Sequence, residues 1–205
     1  MALNDELVNG FNTHYLGPKL DNHSYIFKSH FMNALLNTGD HGTNPPNYKY
    51  SNVETWSNRI EGGLFNRHKI YISINHQNVQ WLTMRLDLIK KKISLWDPQG
   101  MKQTNAPYTN TALRYLGDEY ERAFPLEKDT KTWLQSWSIE DLSDECPQQE
   151  NDFDCGICHL LNLCLLVIEG GISIESYSQA SIDAKEVRKV IAYLLWQASS
   201  NRPAV

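Results

Sequence analysis

The residues best placed to do chemistry lie between Pro147 and Cys158, a stretch reading PQQENDFDCGIC that runs into an apolar segment from Leu160 to Ile168. Polar, turn-prone residues (Glu150, Asn151, Asp152, Asp154) lead to Cys155 and Gly156, after which nearly every position is helix-forming and apolar. This pattern sets a thiol on the first turn of a buried helix, where free backbone N–H groups and the positive end of the helix dipole favour a thiolate and lower its pKa. Gly156, lacking a side chain, leaves room for a substrate carbonyl to approach amides that could hold an oxyanion. Gln149, six residues before Cys155, can turn its amide NH2 towards the same reacting atom. The matching chemistry is attack on a carbonyl through a covalent acyl intermediate, which also requires a base beside the thiol and a third group to orient that base.

The cysteines admit other readings. Cys155 and Cys158 form CGIC, a redox-type spacing, and His159 extends it to the CxxCH of haem attachment. A redox pair belongs after the first strand of a compact βαβ unit, and haem attachment belongs to an exported protein with a distal ligand. Cys146, Cys155, Cys158 and His159 together could offer four zinc ligands, but the Cys146 to Cys155 gap fits no common finger spacing. No metal or cofactor is therefore expected. Cys158 and Cys164 are assigned to core packing, and His159 to the body of the helix rather than to the thiol.

Several elements must position these groups. Leu3 to Phe11 reads as a short amphipathic helix capped by Asn4 or Asp5, with Leu7, Val8 and Phe11 on one face. His14 to Asn22 reads as loop, Ser24 to Asn37 as a second, better buried helix, His41 to Ser51 as a Gly, Asn and Pro-rich loop, and Val53 to Ile60 as a short helix carrying Trp56. The period then changes. His68 to Ile74 alternates as a strand, Trp81 to Leu88 alternates again, and after a turn around Lys90 and Lys91 the segment Ile93 to Trp96 runs back, forming a β-hairpin. With the turn centred near Ile89, Gln80 and Asp97 fall opposite each other at its open end. Asp97 is thus placed to orient a base, and the residue standing where the base belongs is Gln80.

Composition sets the outer bounds. A chain of 205 residues, 41% hydrophobic and 21% charged, is expected to form one globular domain with a full core. The Leu160 to Ile168 run is far short of the roughly 20 residues needed to span a bilayer, and no signal-like segment opens the chain, so a protein acting inside a cell, in nucleus or cytoplasm, is expected. Net charge is −5 without a basic stripe, which argues against nucleic acid and suits a basic protein surface instead.

On these motifs the chain resembles the ubiquitin-like-protein-specific proteases, clan CE cysteine peptidases that process and deconjugate SUMO and related modifiers. LNDELVNGF resembles the family's opening WLND helix, SYIFKSHFMNAL its second helix, and VETWSNRI with HKIYISIN its tryptophan-bearing helix and following strand. QWLTMRLDLIKKKISLWDP resembles the catalytic hairpin, PQQENDFDCGIC the glutamine and cysteine signature, and SQASIDAKEVRKVIAYLLW the closing helix, with Val187, Val190, Ile191, Leu194 and Leu195 on one face. The resemblance implies an α+β, papain-like clan CE fold: a central mixed sheet with flanking helices, whose catalytic hairpin packs on a buried helix that starts at the nucleophile. It makes Cys155 the nucleophile, Gln149 the oxyanion-hole side chain, Asp97 the acid of the triad, and Trp81 a wall over the substrate's terminal diglycine. Asp5 becomes a contact to the modifier's body. The implied partners are SUMO-like or ubiquitin-like modifiers and their conjugates, met by a monomer acting in a cell, or in a host cell if the chain is a pathogen effector.

Two departures stand out. The family's catalytic histidine falls on Gln80, which cannot accept and return a proton near neutral pH. The opening tryptophan is missing, with Met1 and Ala2 in its place, as if the chain began inside the motif. His76 is a candidate substitute base; along an extended strand it sits ~13 Å from Gln80 at about 3.3 Å per residue, and closer if a tight loop runs through Gln77 to Val79. Gln80 leaves three activities open: a peptidase with impaired turnover, a modifier-binding pseudoprotease or substrate trap, and an acyltransferase of related fold.

Overall fold

In the computed structural model the described residues are 3–37, 48–100, 106–127, 129–146, 148–149, 151, 153–168 and 183–200. A five-stranded sheet runs in the order β1 (Ser24–Phe27), β2 (Lys69–His76), β3 (Gln80–Asp87), β4 (Lys92–Trp96), β5 (Ser138–Asp141). The two outer pairs are parallel, and the β2, β3 and β4 meander is antiparallel. Helices cover both faces, giving the mixed α+β architecture the resemblance implies.

The alternation in β2 to β4 explains the layering. Ile70, Ile72, Ile74, Leu82, Met84, Leu86, Ile93 and Leu95 project to one face and are at most 1% exposed. There they meet Phe31, Met32 and Leu35 of α2 (His30–Leu35) and Tyr108, Ala112, Tyr115 and Leu116 of α3 (Ala106–Ala123). The opposite face presents Tyr71, Trp81 and Trp96 to α1 (Asp5–Phe11), α5 (Cys155–Ile168) and α6 (Ala184–Ser200). The short α4 (Thr130–Gln135) packs on α3. With both sheet faces covered, α5 can be apolar nearly all round, as its sequence reads.

Some elements differ from the sequence reading. Ser24 to Asn37 is not one helix: SYIF forms β1, parallel to β2, and only His30–Leu35 is helical. Its aromatic and β-branched residues suit a pleated surface, and the neighbouring strand decides between two apolar periods that the sequence leaves close. Val53 to Ile60 is a set of turns with one 3₁₀ turn at Ser57–Arg59. His14 to Asn22 contains a π-helical turn ending at Leu16 and a 3₁₀ turn at Gly17–Lys19. Most of the His41 to Ser51 loop lies outside the described residues, as does 178–182 of the closing segment. On α6, Ile191 is buried and Val187, Leu194 and Leu195 pack beside it, but Val190 is 53% exposed and faces away from the core. Asn4 is the N-cap of α1, accepting from Leu7 N–H at 3.0 Å.

Candidate active site

Cys155 is the first residue of α5 and is wholly buried. Asp154 precedes it, its backbone carbonyl accepting from Ile157 and Cys158 N–H at 2.9 and 3.0 Å and its carboxylate held by Asn151 and Arg188. These bonds pin the start of the helix. The thiol donates to the Val79 carbonyl at 3.6 Å. Burial raises the Cys155 pKa above its ordinary value, and bonds to the N–H groups of Trp81, Gly156 and Cys155 itself oppose the shift only in part. The expected fall is thus overturned. Helix-terminal N–H groups alone do not offset desolvation here, and among the described residues no cation is a cause of the shift.

Gln80 opens β3 and is 6% exposed. Its Nε2 donates to Asp97 Oδ1 at 2.9 Å, which places Gln80 and Asp97 together as the hairpin suggested. They do not face each other directly. The register ends at Thr83↔Trp96, which continued by one residue sets Leu82 against Asp97, so Gln80 reaches Asp97 on the diagonal. Asp97 is 1% exposed; its Oδ1 also accepts from Gln99 N–H at 2.9 Å, and its own N–H donates to Ser143 Oγ at 3.2 Å. The carboxylate is therefore rigid. Gln80 Oε1 is buried without a hydrogen-bond partner.

His76 is much nearer than an extended strand would put it. β2 and β3 form a hairpin through Gln77, Asn78 and Val79, and His76 pairs directly with Gln80. Gln77 and Asn78 adopt left-handed backbone at φ 52° and 59°, which tightens the loop. The His76 ring is bonded through Nδ1 to the Tyr108 hydroxyl of α3, and burial lowers its pKa against the opposing pull of Asp97. A ring so held is neutral near pH 7.

Gln149 is tied through its N–H to the Pro98 carbonyl at 3.1 Å, which brings the loop before α5 against the residue following Asp97. Its Oε1 is buried and unpartnered. A Cβ added at Gly156 would stand 2.9 Å from Leu3 Cβ, so Leu3 occupies the space that the sequence reading kept for an incoming carbonyl. Trp81 donates from Nε1 to the Leu3 carbonyl at 2.9 Å, stacks on His159, and is 2% exposed. The indole meets Leu3 and His159 rather than an open slot. The Asp5 carboxylate accepts from Ser29 Oγ and from Asn75 Nδ2, with His30 Nδ1 3.9 Å away. Sequence reasoning missed Leu3, Tyr108, Val79 and Arg188; of these only Tyr108 left a trace, as one of the periodic apolar positions of α3.

Residues 4–194 match the model of the Ulp1 protease family, C-terminal catalytic domain. The chain belongs to that family. It is 27% identical over 189 residues to human sentrin-specific protease 5, covering 92% of this chain and 22% of that protein, so it spans about a fifth of that relative's length. It is 27% identical over 162 residues to ubiquitin-like-specific protease 1A of Arabidopsis thaliana, covering 76% of this chain and 30% of that protein. Its fold is similar to the C-terminal Ulp1 protease domain solved in complex with Smt3, the yeast ortholog of SUMO: TM-score 0.71, 23% identity, 97% of this chain and 78% of that one.

Proposed function

We propose that this domain binds the C-terminal Gly-Gly tail of a ubiquitin-like modifier, SUMO-like by preference, and cleaves after it by attack of Cys155 through an acyl-enzyme. Turnover is held down because Gln80 replaces the base. The observation that carries the reading is the 2.9 Å bond from Gln80 Nε2 to Asp97 Oδ1, an orienting acid aimed at a side chain that transfers no proton. The tail specificity is supported by the setting of the thiol: Cys155 is 0% exposed, with the Val79 carbonyl on its sulfur and Leu3 against Gly156, so an incoming tail has to displace Leu3, and a tail without side chains at the cut demands the smallest displacement. Gln149 joins the backbone amides at the oxyanion, and Asp5 and His30 present a polar face to the modifier's body.

The direct pairing of His76 with Gln80 favours a second reading, in which His76 is the base. Its Nδ1 is taken up by the Tyr108 hydroxyl of α3, which weighs against that reading. Hydrolysis of fluorogenic SUMO and ubiquitin conjugates by this chain and by Gln80→His separates the cases. Turnover by Gln80→His alone supports the proposal, and turnover by the parent that His76→Ala abolishes supports the second reading. Failure of both versions to bind or cleave any modifier overturns both.

A further inference from the structure

His159 lies four residues beyond Cys155, on the face of α5 that packs on β2 and β3, and is wholly buried. Both ring nitrogens are engaged. Nδ1 is 2.7 Å from Thr83 Oγ1 and Nε2 is 3.0 Å from Ser73 Oγ. Ser73 and Thr83 face each other across β2 and β3, and neither is exposed. Asn12 Nδ2 extends the chain by donating to Ser73 Oγ at 2.9 Å, and the imidazole stacks on Trp81 with centroids 5.5 Å apart. Burial keeps the ring neutral, so one nitrogen donates and the other accepts, and two hydroxyls complete both. The imidazole and the two hydroxyls are all partnered, while Asn12 Oδ1 is left without a partner; a buried polar grip of this kind admits one register, where a purely apolar contact would tolerate several.

We propose that His159 is a positioning residue: by gripping one hydroxyl on each strand of the β2–β3 hairpin it fixes α5 along the sheet and holds Cys155 Sγ at the start of β3. The thiol is about one helical turn from the grip, and Gln80 and Trp81 are two or three residues from Thr83 on the strand. A slip of α5 by one residue moves the sulfur about 1.5 Å, and a misplacement of that size costs on the order of 10²-fold in rate. The inference rests on Cys155 as nucleophile and not on which modifier is bound.

The test uses His159→Phe, which keeps a ring against Trp81 and loses both hydrogen bonds. In the Gln80→His chain it is expected to lower the maximal rate of Cys155 acylation by a SUMO or ubiquitin C-terminal electrophile by ~10-fold or more, with modifier affinity within about twofold. Ser73→Ala with Thr83→Val should reproduce the loss, and His159→Asn, whose amide can stand near Nδ1, should restore part of it. An unchanged acylation rate in folded His159→Phe overturns the proposal, as does an equal fall in rate and affinity. If His159→Phe does not fold, Ser73→Ala and Thr83→Val decide, and unchanged rates in both overturn it. If no modifier engages even Gln80→His, that failure belongs to the proposed function, and iodoacetamide alkylation then reads the position of the thiol. Selective acceleration at Cys155 over Cys146 in His159→Phe supports the grip; equal change at both cysteines, or none, overturns it.

Discussion

Acidification should weaken this fold through His159, and the size of the effect follows from its burial. Desolvation alone lowers the His159 pKa from 6.5 to about 3 in the folded protein. In the unfolded chain the ring takes up a proton near pH 6.5. Between those values the unfolded state binds more protons, so stability is fully present above pH 6.5 and is lost as the pH falls towards 3. At pH 5.0 this single group costs about 2 kcal/mol relative to pH 7.5, from ~1.4 kcal/mol per pKa unit over the 1.5 units crossed. The assay is urea denaturation of the parent and of His159→Phe at both pH values. Other titrating groups, His76 among them, are common to the two proteins and cancel in the comparison. The drop in stability between pH 7.5 and 5.0 should be smaller in His159→Phe by about 2 kcal/mol, whatever the substitution costs at neutral pH. Equal drops would refute the claim that this imidazole is held neutral in the fold.

Other predictions concern the site and its supports. Gln80→His should raise turnover of a modifier conjugate by ~10² to 10⁴-fold and give a rate plateau near neutral pH, where the parent's thiol reactivity keeps climbing into alkaline pH because burial holds its pKa up; stopped-assay rates across pH check both. Gly156→Ala should destabilise the domain by about 1–3 kcal/mol in denaturant titration, because its Cβ meets Leu3 Cβ at 2.9 Å, and Leu3→Gly, which removes that Cβ, should relieve much of the clash. Arg188→Ala removes the charged partner of the 6%-exposed Asp154, leaving it Asn151, and removes a donor to the Phe153 carbonyl. It should cost about 1–3 kcal/mol in the same titration and loosen the start of α5.

The β3–β4 hairpin and the helix that starts at Cys155 were legible because their periods are clear: two in Leu82, Met84 and Leu86, then a helix after Gly156 that is apolar but for His159 and Asn162. The Gln80 to Asp97 proximity was legible too, although the turn centre lies one residue later than a direct pair requires, which changes a direct pair into a diagonal one. β1 was not legible, because SYIF joins KSHFMNAL with no Gly or Pro between them and parallel pairing with a distant strand is not a local property. The closeness of His76 depended on two non-glycine residues taking left-handed backbone at Gln77 and Asn78, for which asparagine is the only hint. The Cys155 pKa was misjudged because a helix terminus can be read from sequence, whereas complete burial beneath Leu3 and Val79 comes from segments 76 residues or more away. α3 carries a readable period in Tyr108, Ala112, Tyr115 and Glu119, and it supplies the hydroxyl that holds His76.

The central claim is that Cys155 attacks the carbonyl at the end of a modifier's Gly-Gly tail. Incubation of the Gln80→His chain with SUMO and ubiquitin bearing C-terminal alkyne electrophiles, followed by intact-mass and peptide-mapping measurement, tests it most directly. The account predicts one adduct, one modifier per chain, mapped to Cys155 and absent from Cys155→Ala. An adduct that persists in Cys155→Ala, or a folded Gln80→His chain that no modifier labels, would contradict it.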